Sequence, residues 1–197
     1  MNATSLLRVC LTVCLLTGLP AQAQTFQLKG VTIGSTSAIA CGTSKITDAM
    51  GDIIRASQSE APSLVDMRTT ECEVDFGTFG GNKLSIPAKL LFLDGRLILL
   101  KIELTGLPLA NFVDIYKTLL ADYGKAARAI SRPFVADTWK ARGQTLVLER
   151  LGREWDDNDV TIILKGDEGY GVYEARSSAN SKILKALNAK RTRNDIR

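Results

Sequence analysis

Histidine is absent from all 197 residues. That gap closes off Ser-His-Asp and Cys-His nucleophilic catalysis, together with every zinc site built on imidazole. Aromatic residues are scarce, at 6% of the chain, and the only tryptophans are Trp139 and Trp155. Two tryptophans are few for an aromatic-lined sugar cleft. No C-x-x-C pair occurs, so the redox dithiol motif is missing. Beyond Pro20 no apolar run approaches the ~20 successive residues that span a bilayer. A strong charge imbalance is missing as well. The formal net charge is +4, too small to imply a nucleic-acid partner. The glycine-dense stretch FGTFGGNK, Phe76 to Lys83, lacks the G-x-x-x-x-G-K-[ST] spacing of a phosphate loop. It joins two strand-like segments and reads as a hairpin turn. No cofactor or metal motif remains, and none is expected.

What the chain does have begins at its N-terminus. Arg8 precedes the apolar VCLTVCLLTGL, followed by Pro20 and then Ala21-Gln22-Ala23, with small residues where signal peptidase reads. This pattern predicts a secretory signal over 1–23, cleaved before Gln24. The Val13-Cys14 junction, with Leu15 and Leu16 continuing the run, argues against a lipid-anchoring site. Cys10 and Cys14 leave with the signal, and Cys41 and Cys72 remain. In an oxidising compartment, periplasmic or extracellular, an even pair is expected to form one disulfide. Loss of Arg8 leaves 24 Lys+Arg against 21 Asp+Glu. The mature chain is expected to be soluble.

Hydrophobic periodicity then orders the chain. Phe26, Leu28, Val31 and Ile33 alternate as a strand with a bulge at Gly30. Ile46, Met50, Ile53 and Ile54 recur at helical spacing behind Thr43 or Ser44 as a cap. Three strands follow: one with Cys72, Val74 and Phe76 on a face, and one with Leu84, Ile86, Ala88, Leu90 and Phe92. The third places Ile98, Leu100, Ile102 and Leu104 together. Asp94-Gly95 joins the last two as a tight hairpin, since both central positions of a type I′ turn need positive φ. Pro87 cannot donate to a ladder, so its strand is expected at an edge or a bulge. Phe112, Tyr116, Leu119, Leu120 and Tyr123 make one helical stripe, with Pro108 near its start and Gly124 at its end. After a basic linker, two strands meet at Arg142-Gly143, and VTIILKG and YGVYEA read as two more.

This order predicts an α+β domain over 24–176, made of two successive helix-plus-antiparallel-meander units at about 24–106 and 107–176. A basic helix and tail over 177–197 carries Lys182, Lys185, Lys190, Arg191, Arg193 and Arg197, with Ile183, Leu184 and Leu187 as a short apolar stripe. It reads as a solvated, frayed terminus, the alternative being contact with anionic lipid or an acidic partner. In EWDDND, the carboxylates Glu154, Asp156, Asp157 and Asp159 suggest calcium, but the EF-hand pattern fails because Val160, Thr161 and Ile162 open a strand. A hairpin loop with exposed carboxylates is the better reading. Trp139 leads an alternating strand and reads as core. Trp155, Asp156, Asp157 and Asp159 form the candidate partner contact, with Trp155 as anchor.

The helix ending in Leu119, Leu120, Tyr123 and Gly124, followed by a strand led by Trp139, resembles small bacterial envelope proteins. These carry the helix-plus-antiparallel-sheet unit of the outer-membrane-assembly lipoprotein family and of the tandem beta-lactamase inhibitor protein. The resemblance implies a helix-on-sheet fold and transfers no binding residue. The expected function is a non-enzymatic periplasmic or secreted binding protein whose partner is a protein or another envelope component. The alternative is a histidine-free hydrolase of an envelope substrate, using carboxylates such as Asp156 and Asp159. N-terminal sequencing of the exported protein should read from Gln24, and an intact Met1 on exported material would overturn the signal assignment.

Overall fold

Apolar residues alternate along most of the strands, and the sheet they form sends one set of side chains into a shared core. A computed structural model describes residues 25–84, 86–152 and 157–195. The signal segment predicted over 1–23 lies outside them, as does Gln24. The fold is mixed α and β, with four helices and a mostly antiparallel set of strands. The strands are β1 (Gln27–Leu28), β2 (Val31–Thr32), β3 (Ile46–Asp48), β4 (Thr69–Val74), β5 (Thr78–Phe79), β6 (Asn82–Lys83), β7 (Ala88–Leu93), β8 (Arg96–Pro108), β9 (Ala127–Ser131), β10 (Phe134–Ala141), β11 (Gln144–Gly152) and β12 (Asp157–Gly166). The helices are α1 (Ser37–Cys41), α2 (Gly51–Ser57), α3 (Leu109–Tyr123) and α4 (Asp167–Asp195). Eight strands form the main sheet in the order β3-β4-β7-β8-β12-β11-β10-β9, while β1-β2 and β5-β6 are separate hairpins.

The two turns expected from their residue pairs form as expected. Asp94 and Gly95 have φ of 50° and 75°, and Arg142 and Gly143 have 45° and 71°. The bulge expected at Gly30 is instead a third turn of this kind. Lys29 and Gly30 both take positive φ, and Leu28 pairs with Val31 across them. Pro87 stands just before the first paired residue of β7, so that strand occupies an interior position without losing a ladder bond at the proline. Leu84 and Ile86 precede the strand.

Three helical or strand expectations are corrected. Ile46 lies in β3, paired with Cys72 on β4, and only Gly51–Ser57 is helical in the segment read as one helix. The pairing of β3 with β4 captures residues whose spacing also suits a helix. The basic linker after α3 is β9, paired with β10. YGVYEA is the first part of α4, a helix of 29 residues with Asp167 and Glu168 in its first turn, where acidic side chains complement the helix dipole. The basic C-terminal segment is therefore the continuation of a docked helix. Ile183, Leu184 and Leu187 pack against a small core of Ile54, Ala61, Leu64 and Met67.

One face of the sheet buries Leu90, Phe92, Leu97, Leu100, Ile102, Leu146, Leu148, Ile162 and Leu164 beneath α3, α1 and the β1-β2 hairpin. A bulge between β7 and β8 pairs Phe92 with Leu97 and leaves Ile98 as the extra residue. Leu97 thereby replaces Ile98 in the expected core row, and Ile98 meets α4. A Cβ at Gly169 would stand 2.7 Å from Ile98 Cγ2, so α4 approaches the sheet through a glycine. Cys41, at the end of α1, is disulfide-bonded to Cys72 on β4, with Cα atoms 6.1 Å apart. Closing a loop of this length stabilises the fold by roughly 3–4 kcal/mol in the chain-entropy account.

Helix α3 ends as expected at Gly124, whose φ is 74° and whose N–H donates to Leu120 O at 2.9 Å. Its buried row is Phe112, Ile115 and Leu119, with Tyr116 and Tyr123 at the margin. Leu120 is half-buried and lies off this row, whereas Ile115, absent from the expected stripe, is at its centre. Contact along i, i+3 and i+7 excludes a residue turned a further 100°. Leu119→Ala should cost about 2–5 kcal/mol in chemical denaturation, and Leu120→Ala at most about 1 kcal/mol. Equal effects would contradict this packing.

Candidate functional site

The β9–β10 turn, the ends of β8 and β11 and the starts of β12 and α3 share one end of the main sheet. The strands are tied there by polar contacts to the backbone. Gly152 N–H donates to Pro133 O at 3.3 Å, past the Phe134–Leu151 pair. Asn158 is buried and donates from Nδ2 to Leu107 O at 3.1 Å. Its Oδ1 accepts from Arg150 Nη1 at 3.2 Å.

Arginines then stack along the aromatic row of α3. The Arg150 guanidinium lies 5.2 Å from the Phe112 ring centre, and that of Arg128 lies 4.8 Å from Tyr116. Phe112 stacks on Tyr116 at 6.5 Å, and Tyr116 is 6.4 Å from Trp139. Trp139 is in the core, as expected, and its Nε1–H donates to Gly124 O at 2.7 Å. Arg128 grips Asp137 with two bonds of 2.7 and 2.9 Å, and Asp137 is only 1% exposed. Hydrogen bonding to Asp137 raises the pKa of Arg128, with burial opposing it.

Beyond this row the surface changes character. A cavity of about 680 Å³ is bounded by Ile130, Arg132, Phe134, Val135 and Arg150. Ile130 is 67% exposed and Phe134 53%. Ile130 pairs with Val135, and Val135 with Arg150, so these three share the helix-bearing face. Phe134 points to the other face. The cavity therefore wraps the corner of the sheet at its β9 edge. Smaller cavities of about 390 and 230 Å³ flank Tyr123, beside Trp139 and beneath the β1-β2 hairpin respectively.

The expected contact residues are only partly in view. Trp155 and Asp156 lie outside the described residues. Asp157 begins β12 opposite Pro108. Asp159 Oδ1 accepts the N–H of Gly106 at 3.3 Å where β8 bulges, and Gly106 has φ 64° there. That carboxylate thus helps hold the sheet. Among the described residues no three acidic or cysteine side chains are grouped to hold a metal ion. Arg150, Arg132, Ile130 and Phe134 were not singled out from sequence. For Ile130, Arg132 and Phe134 the one signal was ARAISRPF, in which Arg128 and Ile130 alternate with small residues before a turn.

No family model and no curated protein matches the chain, and no solved structure does either. The chemistry of this corner therefore rests on its own residues.

Removing Arg128 would leave the buried Asp137 carboxylate without its guanidinium. Arg128→Ala should cost about 1–3 kcal/mol. Arg132 makes no hydrogen bond or ion pair among the described residues, and Arg132→Ala should stay within about 0.5 kcal/mol. Thermal unfolding of the two variants, side by side, checks this ordering.

Proposed function

We propose that the protein is a non-enzymatic binding protein of the periplasm or the extracellular space, and that the β9–β10 corner is its contact surface. The observation that carries this reading is the exposure of Ile130 and Phe134 beside Arg132 at the edge of the sheet. A large apolar side chain left in water contributes nothing to stability there, and a cluster of them marks an interaction site. Arginine and aromatic residues are the side chains most enriched at contact hot spots. The unpaired outer edge of β9 adds backbone donors and acceptors that an approaching chain can meet.

Separate observations support the compartment. The N-terminal segment has the pattern of a cleaved signal, and the Cys41–Cys72 disulfide suits an oxidising environment. Among the described residues no helix is long and apolar enough to cross a membrane. We read the architecture as two successive helix-plus-meander units, in the manner of the envelope proteins the sequence resembles. Supporting this, β3-β4-β7-β8 and β9-β10-β11-β12 are each consecutive in the sheet, and the last strand of each lies at the centre.

The test is capture of a partner from envelope extract by the intact protein, compared with an Ile130→Asp/Phe134→Asp double variant. Both positions are exposed, so the variant should fold normally and lose the captured component. Retention of that component by the double variant would refute the corner as the contact surface. Turnover of a cell-wall substrate by the purified protein, with no partner enriched, would refute the binding reading itself.

A further inference from the structure

From the chemistry of this corner we infer that it takes an amphipathic anion: a carboxylate or phosphate carried on an apolar chain. The inference rests on the corner being a binding site and adds what it binds. The anionic part of the argument comes from Arg150. Its Nη1 is engaged by Asn158 and its plane lies over Phe112, which fixes the orientation of the guanidinium. Its Nε is buried and has no hydrogen-bond partner among the described residues. A guanidinium presents its donors as a planar fork that matches the oxygens of a carboxylate or phosphate. Arg132 lines the same cavity and makes no ion pair among the described residues, so a second cation faces the same space.

The apolar part comes from the rest of the lining. Ile130, Pro133, Phe134 and Val135 complete the wall, and none of the described lining residues is acidic. At about 680 Å³ the cavity lies within the ~300–1,000 Å³ range of small-molecule sites. A bare inorganic anion would engage the arginines and leave Ile130 and Phe134 in water. A neutral chain would cover the apolar wall and leave the Arg132 guanidinium beside it without a counter-charge. Only a ligand carrying both parts satisfies the whole corner.

Titration calorimetry with the mature, oxidised protein separates these cases. Four probes at concentrations below micelle formation are sufficient: decanoate, decyl phosphate, decyl maltoside and inorganic phosphate. At least one of the two decyl anions should bind saturably, about tenfold or more tighter than decyl maltoside and than inorganic phosphate. Which anion is the tighter distinguishes a carboxylate source from a phosphate source. Arg150→Lys keeps the charge and removes the fork, and should weaken that binding about tenfold. Arg132→Ala, a surface change, should weaken it several-fold with the fold intact, which keeps the test valid if Arg150→Lys unfolds. Absence of binding by both anions would overturn the inference. Equal binding of decyl maltoside, or anion binding unchanged in Arg132→Ala and Arg150→Lys, would do so as well. Failure here with continued loss of partner capture in the Ile130→Asp/Phe134→Asp variant would remove the ligand class and leave the binding reading standing.

Discussion

The antiparallel pairing of β8 with β12 is the constraint on which the other contacts depend. It places Leu100 opposite Leu164, Ile102 opposite Ile162 and Leu104 opposite Val160, all essentially out of water. Each half of the sheet is a run of neighbouring strands, and within the sheet this pair alone joins the halves. The apolar row it creates runs through the middle of the main core. Cross-strand pairs of β-branched and leucine side chains are the unit by which sheets are stabilised. Because side chains alternate, a one-residue slip here would expose that whole row to solvent, so the register is firmly held.

From this central pair the sheet extends to two unlike edges. The β3 edge is short, tied to α1 through the disulfide on β4 and flanked by the small core under α4. At the β9 edge the chain is exposed at every residue, and α3 reaches it only through the arginine–aromatic row. Helices cover the sheet unevenly, and the uneven cover creates the cavity. Where α3 ends its contact at Phe112 and Tyr116, the side chains of Arg150 and Arg128 take over as the lid. Beyond them Ile130 and Phe134 have nothing above them among the described residues. The candidate site is thus the place where the core runs out before the sheet does.

Local rules made part of this legible. Asp94-Gly95 and Arg142-Gly143 could be read as turns because their backbone conformation demands such pairs, whatever surrounds them. Lys29-Gly30 makes the same turn, but the glycine there was read as a bulge within one strand. Long-range pairing decided the rest. Nothing in the spacing of Ile46, Met50, Ile53 and Ile54 reveals that Cys72 would draw Ile46 into a strand. The bulge turns Ile98 toward α4, which meets it at a glycine more than seventy residues away in the chain, and alternation along β8 cannot register that. The α3 stripe was mostly right and lost Ile115, because five apolar residues around a helix leave the facing angle open until a sheet chooses it. For the site, Arg128 and Arg132 were hidden in a segment that read as a charged connection, and Arg150 closed a segment read only as a strand. The stacking of Arg150 on Phe112 and of Arg128 on Tyr116 is a tertiary event with no signature along the chain.

Asn180 sets the order in which the molecule can be finished. Buried in α4, it accepts the N–H of Val65 at 2.9 Å and donates to Val65 O at 2.8 Å, substituting a side chain for a neighbouring strand. The small core around Ile54, Leu64 and Met67 is closed by Tyr173, Ile183, Leu184 and Leu187, from the far end of the chain. A ribosome or a translocation pore delivers the chain from its first residue onward. All eight strands of the sheet have emerged by Gly166, yet the segment from Met50 to Met67 must wait for the final helix before its apolar side chains and its Val65 backbone are covered. During that interval the nascent protein carries a nearly complete sheet and one greasy, protease-accessible corner. A chain cut short within α4 would leave those side chains uncovered, so this helix acts as the seal over that part of the fold.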